Sequence, residues 1–464
     1  MASFLDREHI VAPPGHSRWL VPPAALAVHL CIGQAYGFSV FNLPLTRVIG
    51  ISKRAPGDWK LSSILWIFGV AIVFLGLSAA VFGAWLERAG PRKAMFASAC
   101  CFAGGFLVSA IGVKLHVLAL VILGYGVLGG IGLGIGYISP VSTLIKWFPD
   151  RPGMATGLAI MGFGGGALIG SPLGVNLMKH YSSPTSVGVM ETFVTMGIVY
   201  FIVMMFGAFT VRVPRPGWKP EGWTPRVAQR KLVTTADVTA ADAIRTPQFY
   251  LLWAVLFLNV SAGIGVLQTA SPMIQQTVGV SAASAAGFVG LLSLFNMGGR
   301  FFWSSLSDKL GRKPIYAIYF LFGGLLYALV PRAAALHSVP LFVALVCVII
   351  SMYGAGFATI PAYLRDLFGT IQVGAIHGRL LTAWSAAGVV GPLLINFMRD
   401  YQVAHGVALA RSYDVTMYIL ACFLVAGFAC NALVKPVDSR FHVKAASPLD
   451  SRFPEPRFNE RAAS

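Results

Sequence analysis

The feature that most constrains this chain is a series of twelve apolar stretches, each long enough to cross a lipid bilayer as a helix. They lie at approximately 19–43, 61–85, 94–113, 116–145, 154–178, 191–211, 248–274, 281–304, 314–331, 339–363, 378–398 and 415–434. Only 11% of the residues are charged, against about 25% in soluble domains. The sequence therefore predicts an all-α integral membrane protein with twelve transmembrane helices.

The positions of the basic residues predict how these helices are oriented. With both termini inside, 25 of the 35 Lys and Arg residues lie on the cytoplasmic side, nine lie outside and Arg300 lies within a span. Because basic residues favour cytoplasmic loops, we predict a multi-pass protein of a bacterial-type plasma membrane with cytoplasmic termini. Topology and contact with anionic lipid account for the net charge of +18, so no nucleic-acid partner is expected.

The sequence contains no pattern that is typical of an enzyme. It has no paired catalytic carboxylates, no metal-ligand spacing and no phosphate-binding loop, so we expect no catalytic residues, no bound metal and no cofactor. All six cysteines lie within predicted spans and are interpreted as small core residues. They are Cys31, Cys100, Cys101, Cys347, Cys422 and Cys430.

A polar segment divides the spans six and six. The predicted organisation is an N-terminal tail at 1–18, a six-helix half at 19–211, a linker at 212–247, a second half at 248–434 and a C-terminal tail at 435–464. Both tails and the linker are predicted to be cytoplasmic. Thr239 and Asp242 have the spacing of a capping box, which predicts a short helix before Phe249.

The two halves align at one offset. Five residue pairs lie 221 positions apart: Glu87 and Asp308, Gly90 and Gly311, Pro140 and Pro361, Gly157 and Gly378, Gly170 and Gly391. Duplicated six-helix halves around a midplane site are typical of alternating-access carriers. The repeat therefore favours a transporter, which we expect to function as a monomer, over a receptor.

Similar sequences follow the second and eighth spans, Glu87-Arg88-x-Gly90-x-Arg92-Lys93 and Asp308-Lys309-Leu310-Gly311-Arg312-Lys313. Both resemble the signature of the major facilitator superfamily. The resemblance implies a major facilitator fold and a breakable cytoplasmic latch between helices. The expected gating residues are Glu87, Arg88, Arg92, Asp308, Lys309 and Arg312.

Further segments carry a narrower resemblance. They include Gly33-Gln34-Ala35-Tyr36-Gly37, Asn296-Met297-Gly298-Gly299-Arg300 and Thr382-Ala383-Trp384. Over about residues 19–435 the chain is similar to the oxalate:formate antiporter family and its monocarboxylate-transporter relatives. This resemblance implies a carrier of small organic anions.

Arg300 is the principal candidate for the substrate site. A charged side chain at the bilayer centre costs about 2.5–3.5 kcal/mol on insertion scales and usually marks a substrate or ion path. A guanidinium also matches the planar geometry of a carboxylate, and the resemblance implies that role for this arginine. Alternatively, Arg300 is only eight residues from Asp308 and could extend to the interface.

At two positions the residue differs from that of the relatives, and these differences bear on the substrate and on proton coupling. Asn296 occupies the position where eukaryotic-type monocarboxylate transporters have a proton-coupling Asp, so exchange or uniport is favoured over symport. Trp384 lies at or beside the position of the second cation of the oxalate:formate antiporter. With one buried cation, a monoanion matches the site better than a dianion.

The remaining candidates surround this arginine in the sequence-based interpretation. Gln34, Tyr36, Tyr137, Asn296 and Trp384 are predicted to line the substrate cavity, although tyrosine and tryptophan also occupy membrane interfaces. His29 is a candidate proton site, with neutral packing as its alternative.

The glycines between Gly162 and Gly170 are expected to allow close helix packing, with a hinge as the alternative. The favoured function is secondary transport of small organic anions, preferably monocarboxylates. Oxalate:formate-type dicarboxylate antiport and proton symport through His29 remain alternatives, and a drug exporter or a non-transporting receptor is less favoured.

Overall fold

The computed structural model describes residues 4–223, 232–234 and 236–443. Across these residues the regular structure is helical, apart from three isolated β-bridges. Twelve long helices follow one another in the described part of the chain: α1 Arg18–Leu45, α2 Leu61–Ala89, α3 Pro91–Lys114, α4 Leu118–Trp147, α5 Pro152–Tyr181, α6 Val189–Thr210, α7 Pro247–Val278, α8 Ala282–Leu310, α9 Arg312–Ala335, α10 Val339–Phe368, α11 Val373–Ala404 and α12 Leu409–Leu433. The predicted all-α architecture is confirmed.

All of these helices except α4 are longer than the apolar stretches that predicted them. Eleven of them are long and apolar enough to cross a membrane, and α8, which contains Arg300, has 29 residues. An apolar stretch marks only the part of a helix that lies in hydrocarbon, whereas hydrogen bonding extends the helix into polar surroundings. Glu87 and Asp308, predicted in loops, consequently lie in the last turns of α2 and α8.

Three helices depart from regular α-helical geometry. Residues Gly33–Phe41 of α1 form a 3-10 helix, and Ile122–Gly129 of α4 form a π-helix. In α11, the segments Val373–Leu380 and Thr382–Ala404 are separated at Leu381. Such irregular turns in helices are frequent at functional sites.

The cysteine prediction is only partly correct. All six lie within helices, but only Cys31 and Cys347 are buried, whereas Cys100 and Cys422 are exposed on the outside of the bundle. The outer face of a membrane helix meets lipid, so a small apolar side chain has no need to be buried in protein.

The helices form two sets of six, α1–α6 and α7–α12, which meet along two seams. One seam joins α5 to α8 and the other joins α2 to α11. A Cβ atom on Gly157 of α5 would collide with the backbone of α8 at Arg300, and one on Gly378 of α11 would collide with α2 at Ala79. Gly157 and Gly378 are a predicted repeat pair, so the repeat also describes how the two halves touch.

Equivalent turns of the two halves also have the same backbone conformation. Gly90 has φ 86° and ψ 162°, and Gly311 has φ 97° and ψ 159°, a conformation that essentially only glycine adopts. His116 and His337, another pair 221 residues apart, have φ values of 54° and 48°. The repeat is therefore visible in local geometry that the alignment of apolar stretches does not reveal.

The described chain ends lie on the same side of the bundle, which we call the termini side. There Val11 pairs with Val213, and Val238 pairs with His442. The predicted cap is confirmed, because the Thr239 hydroxyl accepts a hydrogen bond of 3.1 Å from the Asp242 amide at the start of a short helix, Ala240–Ala243. The linker residues Arg226, Arg230 and Lys231 lie outside the described residues.

Candidate substrate-binding site

Arg300 is fully buried between the two halves of the bundle. Its Nε donates to the Asn296 side-chain oxygen at 3.1 Å, and its Nη1 lies 3.5 Å from the Ile160 carbonyl oxygen of α5. The structure does not show the alternative, in which the Arg300 side chain extends to the membrane interface. Among the described residues, no ion pair joins Arg300 to a carboxylate, and neutral oxygens and aromatic rings surround its charge.

Aromatic rings from both halves surround the guanidinium. Its carbon lies 5.8 Å from the centre of the Phe163 ring and 5.3 Å from that of Phe357, which are cation–π distances. Trp384 contacts both of these rings, with centroid separations of 5.2 and 4.5 Å. We call the ring set around Arg300 the aromatic cage, and its members are Tyr36, Tyr137, Phe163, Tyr353, Phe357 and Trp384.

The cage lies on the axis that relates the two halves. Phe163 of α5 and Trp384 of α11 are 221 residues apart, and their rings pack edge to face between the two halves. Two equivalent residues can touch only where the pseudo-twofold axis passes between them. The site is therefore central to the duplicated architecture, where carriers of this type bind their substrates.

Both halves close the cage. The Tyr36 hydroxyl of α1 and the Tyr353 hydroxyl of α10 are 3.0 Å apart and share a hydrogen bond. Arg300, Tyr137 and Trp384 are all 0% exposed. The structure thus has this centre sealed from solvent on every side.

Several buried polar atoms of the cage have no hydrogen-bond partner among the described residues. They are Arg300 Nη2, the Tyr137 hydroxyl and Trp384 Nε1. An unsatisfied buried donor costs about 1–3 kcal/mol, so such groups usually have a partner during function. Unsatisfied N–H and O–H donors of this kind are the chemical groups that bind a carboxylate.

The other predicted site residues separate into two groups. His29 is fully buried, and its Nε2 lies 3.2 Å from the Tyr137 carbonyl oxygen, which places it behind the cage. Gln34 points away into the N-terminal half, where its side-chain oxygen accepts from the Tyr125 hydroxyl at 3.0 Å. The structure brings Tyr36, Tyr137, Asn296 and Trp384 together around Arg300, and it does not bring Gln34 to the same group.

The glycines of α5 allow the close approach that the site requires. A Cβ atom on Gly164 would lie 2.8 Å from Arg300 Nε, and one on Gly165 would lie 2.6 Å from the Met297 sulfur. On the neighbouring face, Gly162 and Gly166 would meet α1 at His29 and Gly33. This arrangement supports the packing interpretation of the glycine cluster.

The two acids predicted to form latches each contact the opposite half. Glu87 Oε1 accepts from the Gly374 amide at 2.9 Å, and its Oε2 is 2.9 Å from Lys146 Nζ. Asp308 accepts from the amides of Gly153 and Met154, both at 2.8 Å. Each carboxylate therefore lies at the N-terminus of a helix of the other half, where the helix dipole favours negative charge.

The basic residues of the predicted latch are divided among different roles. Arg312 pairs with Asp308 at 2.7 Å and with Asp366 at 3.0 Å. Arg92 instead donates to the carbonyl oxygens of Phe4 in the N-terminal tail and Phe209 in α6, and neither lies in the other half. Arg88 and Lys309 are exposed on the termini side.

Sequence reasoning missed four buried residues near the site: Phe163, Tyr353, Phe357 and His377. The 221-residue offset from Trp384 would have identified Phe163. No comparable sequence signal distinguishes the others from packing residues. Within the described chain, no group of three or more His, Cys, Asp or Glu residues could hold a metal ion.

Two six-helix halves around a sealed, cationic centre on a pseudo-twofold axis define an alternating-access membrane carrier. The model of the Major Facilitator Superfamily matches residues 24–392 and 301–449. The chain belongs to this superfamily and is a multi-pass membrane transporter. The predicted family and fold are thereby confirmed.

Two relatives and one solved structure show the extent of the similarity to individual proteins. The oxalate:formate antiporter of Oxalobacter formigenes is 28% identical over 378 residues, which cover 81% of this chain and 83% of the relative. Apicoplast pyruvate carrier 1 of Toxoplasma gondii is 25% identical, over 70% of this chain and 67% of the relative. The crystal structure of the human organic anion transporter MFSD10 matches with a TM-score of 0.64 and 13% identity, over 90% of this chain and all of that one, and so supports the fold alone.

Proposed function

We propose that this protein is a secondary transporter of small organic anions, with monocarboxylates as the favoured substrates. The observation that carries the proposal is the buried Arg300 guanidinium, which has no acidic partner among the described residues and has Nη2 unbonded. The relatives that are named for oxalate, formate and pyruvate support the same substrate class.

The charge of the cage favours a monoanion. Arg300 is the cation of the cage, and Trp384 supplies a neutral N–H where a second cation would be needed for a dianion. A single carboxylate bound to Arg300 would leave the closed site neutral. A dicarboxylate would leave one negative charge in a water-free centre, which is strongly unfavourable.

Exchange or uniport is the proposed mode of transport. Asn296 contributes a neutral oxygen to Arg300, so this pair does not exchange a proton as an Asp–Arg pair would. The binding site would alternate between the two sides of the membrane as the halves rock about it. The termini side is proposed to be cytoplasmic, in accordance with the distribution of basic residues.

The decisive experiment is counterflow in proteoliposomes with a labelled panel of formate, pyruvate and oxalate. Arg300→Ala should lower exchange of the carried anion at least tenfold, because a hydrogen bond to a charged group contributes about 1.5–3 kcal/mol. Arg300→Lys should recover only part of the loss, since an ammonium lacks the planar fork.

Arg332→Ala is the matched control. Arg332 is exposed at the far end of α9, so its removal should leave counterflow unchanged. Wild-type transport of a panel anion that persists in Arg300→Ala would disprove the site assignment, and transport of none of the three anions would contradict the proposed substrate class. Uptake driven by a proton gradient and lost in His29→Gln would replace exchange with symport.

A further inference from the structure

The segment Val373–Leu380 of α11 contains a buried polar side chain that the cage around Arg300 does not include. His377 is only 1% exposed, and its Nε2 has no hydrogen-bond partner among the described residues. Its ring centre lies 5.9 Å from that of Tyr137, a cage residue of the opposite half. A polar nitrogen is therefore held without a partner at the seam between the halves.

His377 lies closer to the termini side than the cage does. It precedes Trp384 by seven residues on α11, a rise of about 10 Å, and the helix is interrupted between them at Leu381. Three residues before His377, the Gly374 amide is bound by Glu87. The imidazole thus lies between the cage and a latch.

Among the described residues, His377 takes part in no ion pair that would account for its burial. Among the described residues of the opposite half, Tyr137 contacts the His377 ring and His29 lies close to it, and neither is a carboxylic acid. The Glu87 carboxylate also lies on this seam, where it is bound by the Gly374 amide and by Lys146. Arg379, two residues further along α11, is directed elsewhere, because its guanidinium donates to the Ala240 carbonyl oxygen of the linker. His377 consequently faces the opposite half, where its ring contacts that of Tyr137 in the cage.

We propose that His377 is a second binding group for the transported anion, which the carboxylate contacts after Arg300 on its way to the termini side. The inference rests on the proposed function. When the Glu87 contact breaks and the α2–α11 seam opens, His377 would move away from Tyr137 with its helix segment. With the proton on Nε2, the imidazole would donate a hydrogen bond to the departing carboxylate.

The test is a pair of substitutions measured from each side of the membrane. His377→Leu removes the donor, whereas His377→Gln retains an N–H at a similar reach. Exchange of labelled formate, pyruvate or oxalate is measured in vesicles of both orientations, which are identified by protease access to a C-terminal tag. His377→Leu should raise KM on the termini side about three- to tenfold, the effect of one hydrogen bond, and should leave KM on the other side within twofold.

Two controls separate the possible outcomes. His377→Gln should restore the termini-side KM, and His180→Leu, at an exposed position near the end of α5, should change neither value. Equal KM values for His377→Leu and wild type on the termini side would overturn this inference while Arg300→Ala still abolished exchange. Unchanged transport in Arg300→Ala would instead overturn the proposed function. If His377→Leu fails to fold, a His377→Gln variant with a raised KM on both sides would equally contradict a sided contact.

Discussion

The ends of α2 and α8 occupy equivalent places in the two halves, but their acids form contacts of different strength. Asp308 accepts two amide hydrogen bonds from α5 and also pairs with Arg312. Glu87 accepts one amide hydrogen bond from α11 and pairs with Lys146, whose side chain is 28% exposed. Duplication therefore preserved the position of the carboxylate and not the network around it.

The difference arises from residues that the two halves do not share, because Arg312 and Asp366 correspond to Pro91 and Ile145 at the 221-residue offset. In the second half, Arg312 bridges Asp308 to Asp366, and Arg365 pairs with Asp366 at 3.2 Å and approaches the Pro149 carbonyl oxygen of the other half. The Arg312 side chain is only 5% exposed. Water screens such a buried network far less than it screens the Glu87–Lys146 pair. We infer that the α5–α8 seam is the stronger of the two.

The largest expected effect is that of Asp308→Asn. The substitution removes one of the two carboxylates that pair with Arg312 and weakens both amide contacts with α5, at a cost of about 3 kcal/mol. The unfolding midpoint of the purified protein should fall by several degrees. Ser304 is buried on this seam. A reporter cysteine at this position should react faster with a maleimide in Asp308→Asn than in the parent protein. Unaltered stability and labelling would contradict the importance assigned to this network.

The equivalent glycines Gly90 and Gly311 test whether matching turns of the two halves contribute equally to the free energy of unfolding. Gly90→Ala and Gly311→Ala both force a side chain into a backbone conformation that is available essentially only to glycine, at a cost of about 1–3 kcal/mol. Because the two backbones match, the losses of unfolding free energy should agree within about 1 kcal/mol. A much larger difference would show that the repeat does not extend to the energetics of these turns.

Glu87→Gln should have a smaller effect than Asp308→Asn. A neutral amide can still accept from the Gly374 N–H, and the lost pair with Lys146 is partly solvated, so about 1 kcal/mol should be lost. A reporter cysteine at Ser385, on the α2–α11 seam, should label only slightly faster than in the parent protein. An effect equal to that of Asp308→Asn would refute the inferred order of the two seams.

The smallest expected effect concerns the side of the bundle opposite the termini side. There the Asp58 carboxylate, in the loop from α1 to α2, accepts hydrogen bonds from three loop amides, whereas the short α7–α8 connection has no acidic residue. Burial raises the pKa of the Asp58 carboxyl, but hydrogen bonds from the amides of Ile49, Ala55 and Gly50 outweigh burial and lower the pKa below 3.8. The stabilisation is therefore present at neutral pH and is lost as pH falls through the lowered pKa.

Amide exchange is the suitable measurement for this loop. Protection of the Ile49, Gly50 and Ala55 amides should exceed that in Asp58→Asn at pH 7. The difference should decrease as the pH falls below about 4 and should disappear below the lowered pKa of Asp58. The unfolding midpoint should change little, since the loop is peripheral. A protection difference that persists unchanged in strong acid would exclude the carboxylate as its cause.

The sequence predicted the helices and the principal charged group well, and it predicted side-chain direction poorly. Apolar length identifies a membrane helix because hydrocarbon excludes unpaired backbone groups, and Arg300 is identified because a lone charge is costly there. The same reasoning placed Gln34 in the cavity, although the irregular turns of α1 direct it toward Tyr125. It also assigned Cys100 and Cys422 to the core, because apolar composition does not distinguish lipid from protein.

The sequence by itself determined the number of helices, their division into halves and the position of a basic residue, Arg300, within a membrane span, since each follows from the free energy of placing a residue in lipid. Only the tertiary structure decided which atoms meet at the axis. Phe163 touches Trp384, His377 faces Tyr137, and Asp308 caps a helix of the other half, because two packed halves juxtapose residues that are far apart in the chain. Contacts of this kind depend on packing between helices, and local apolar patterns do not encode them.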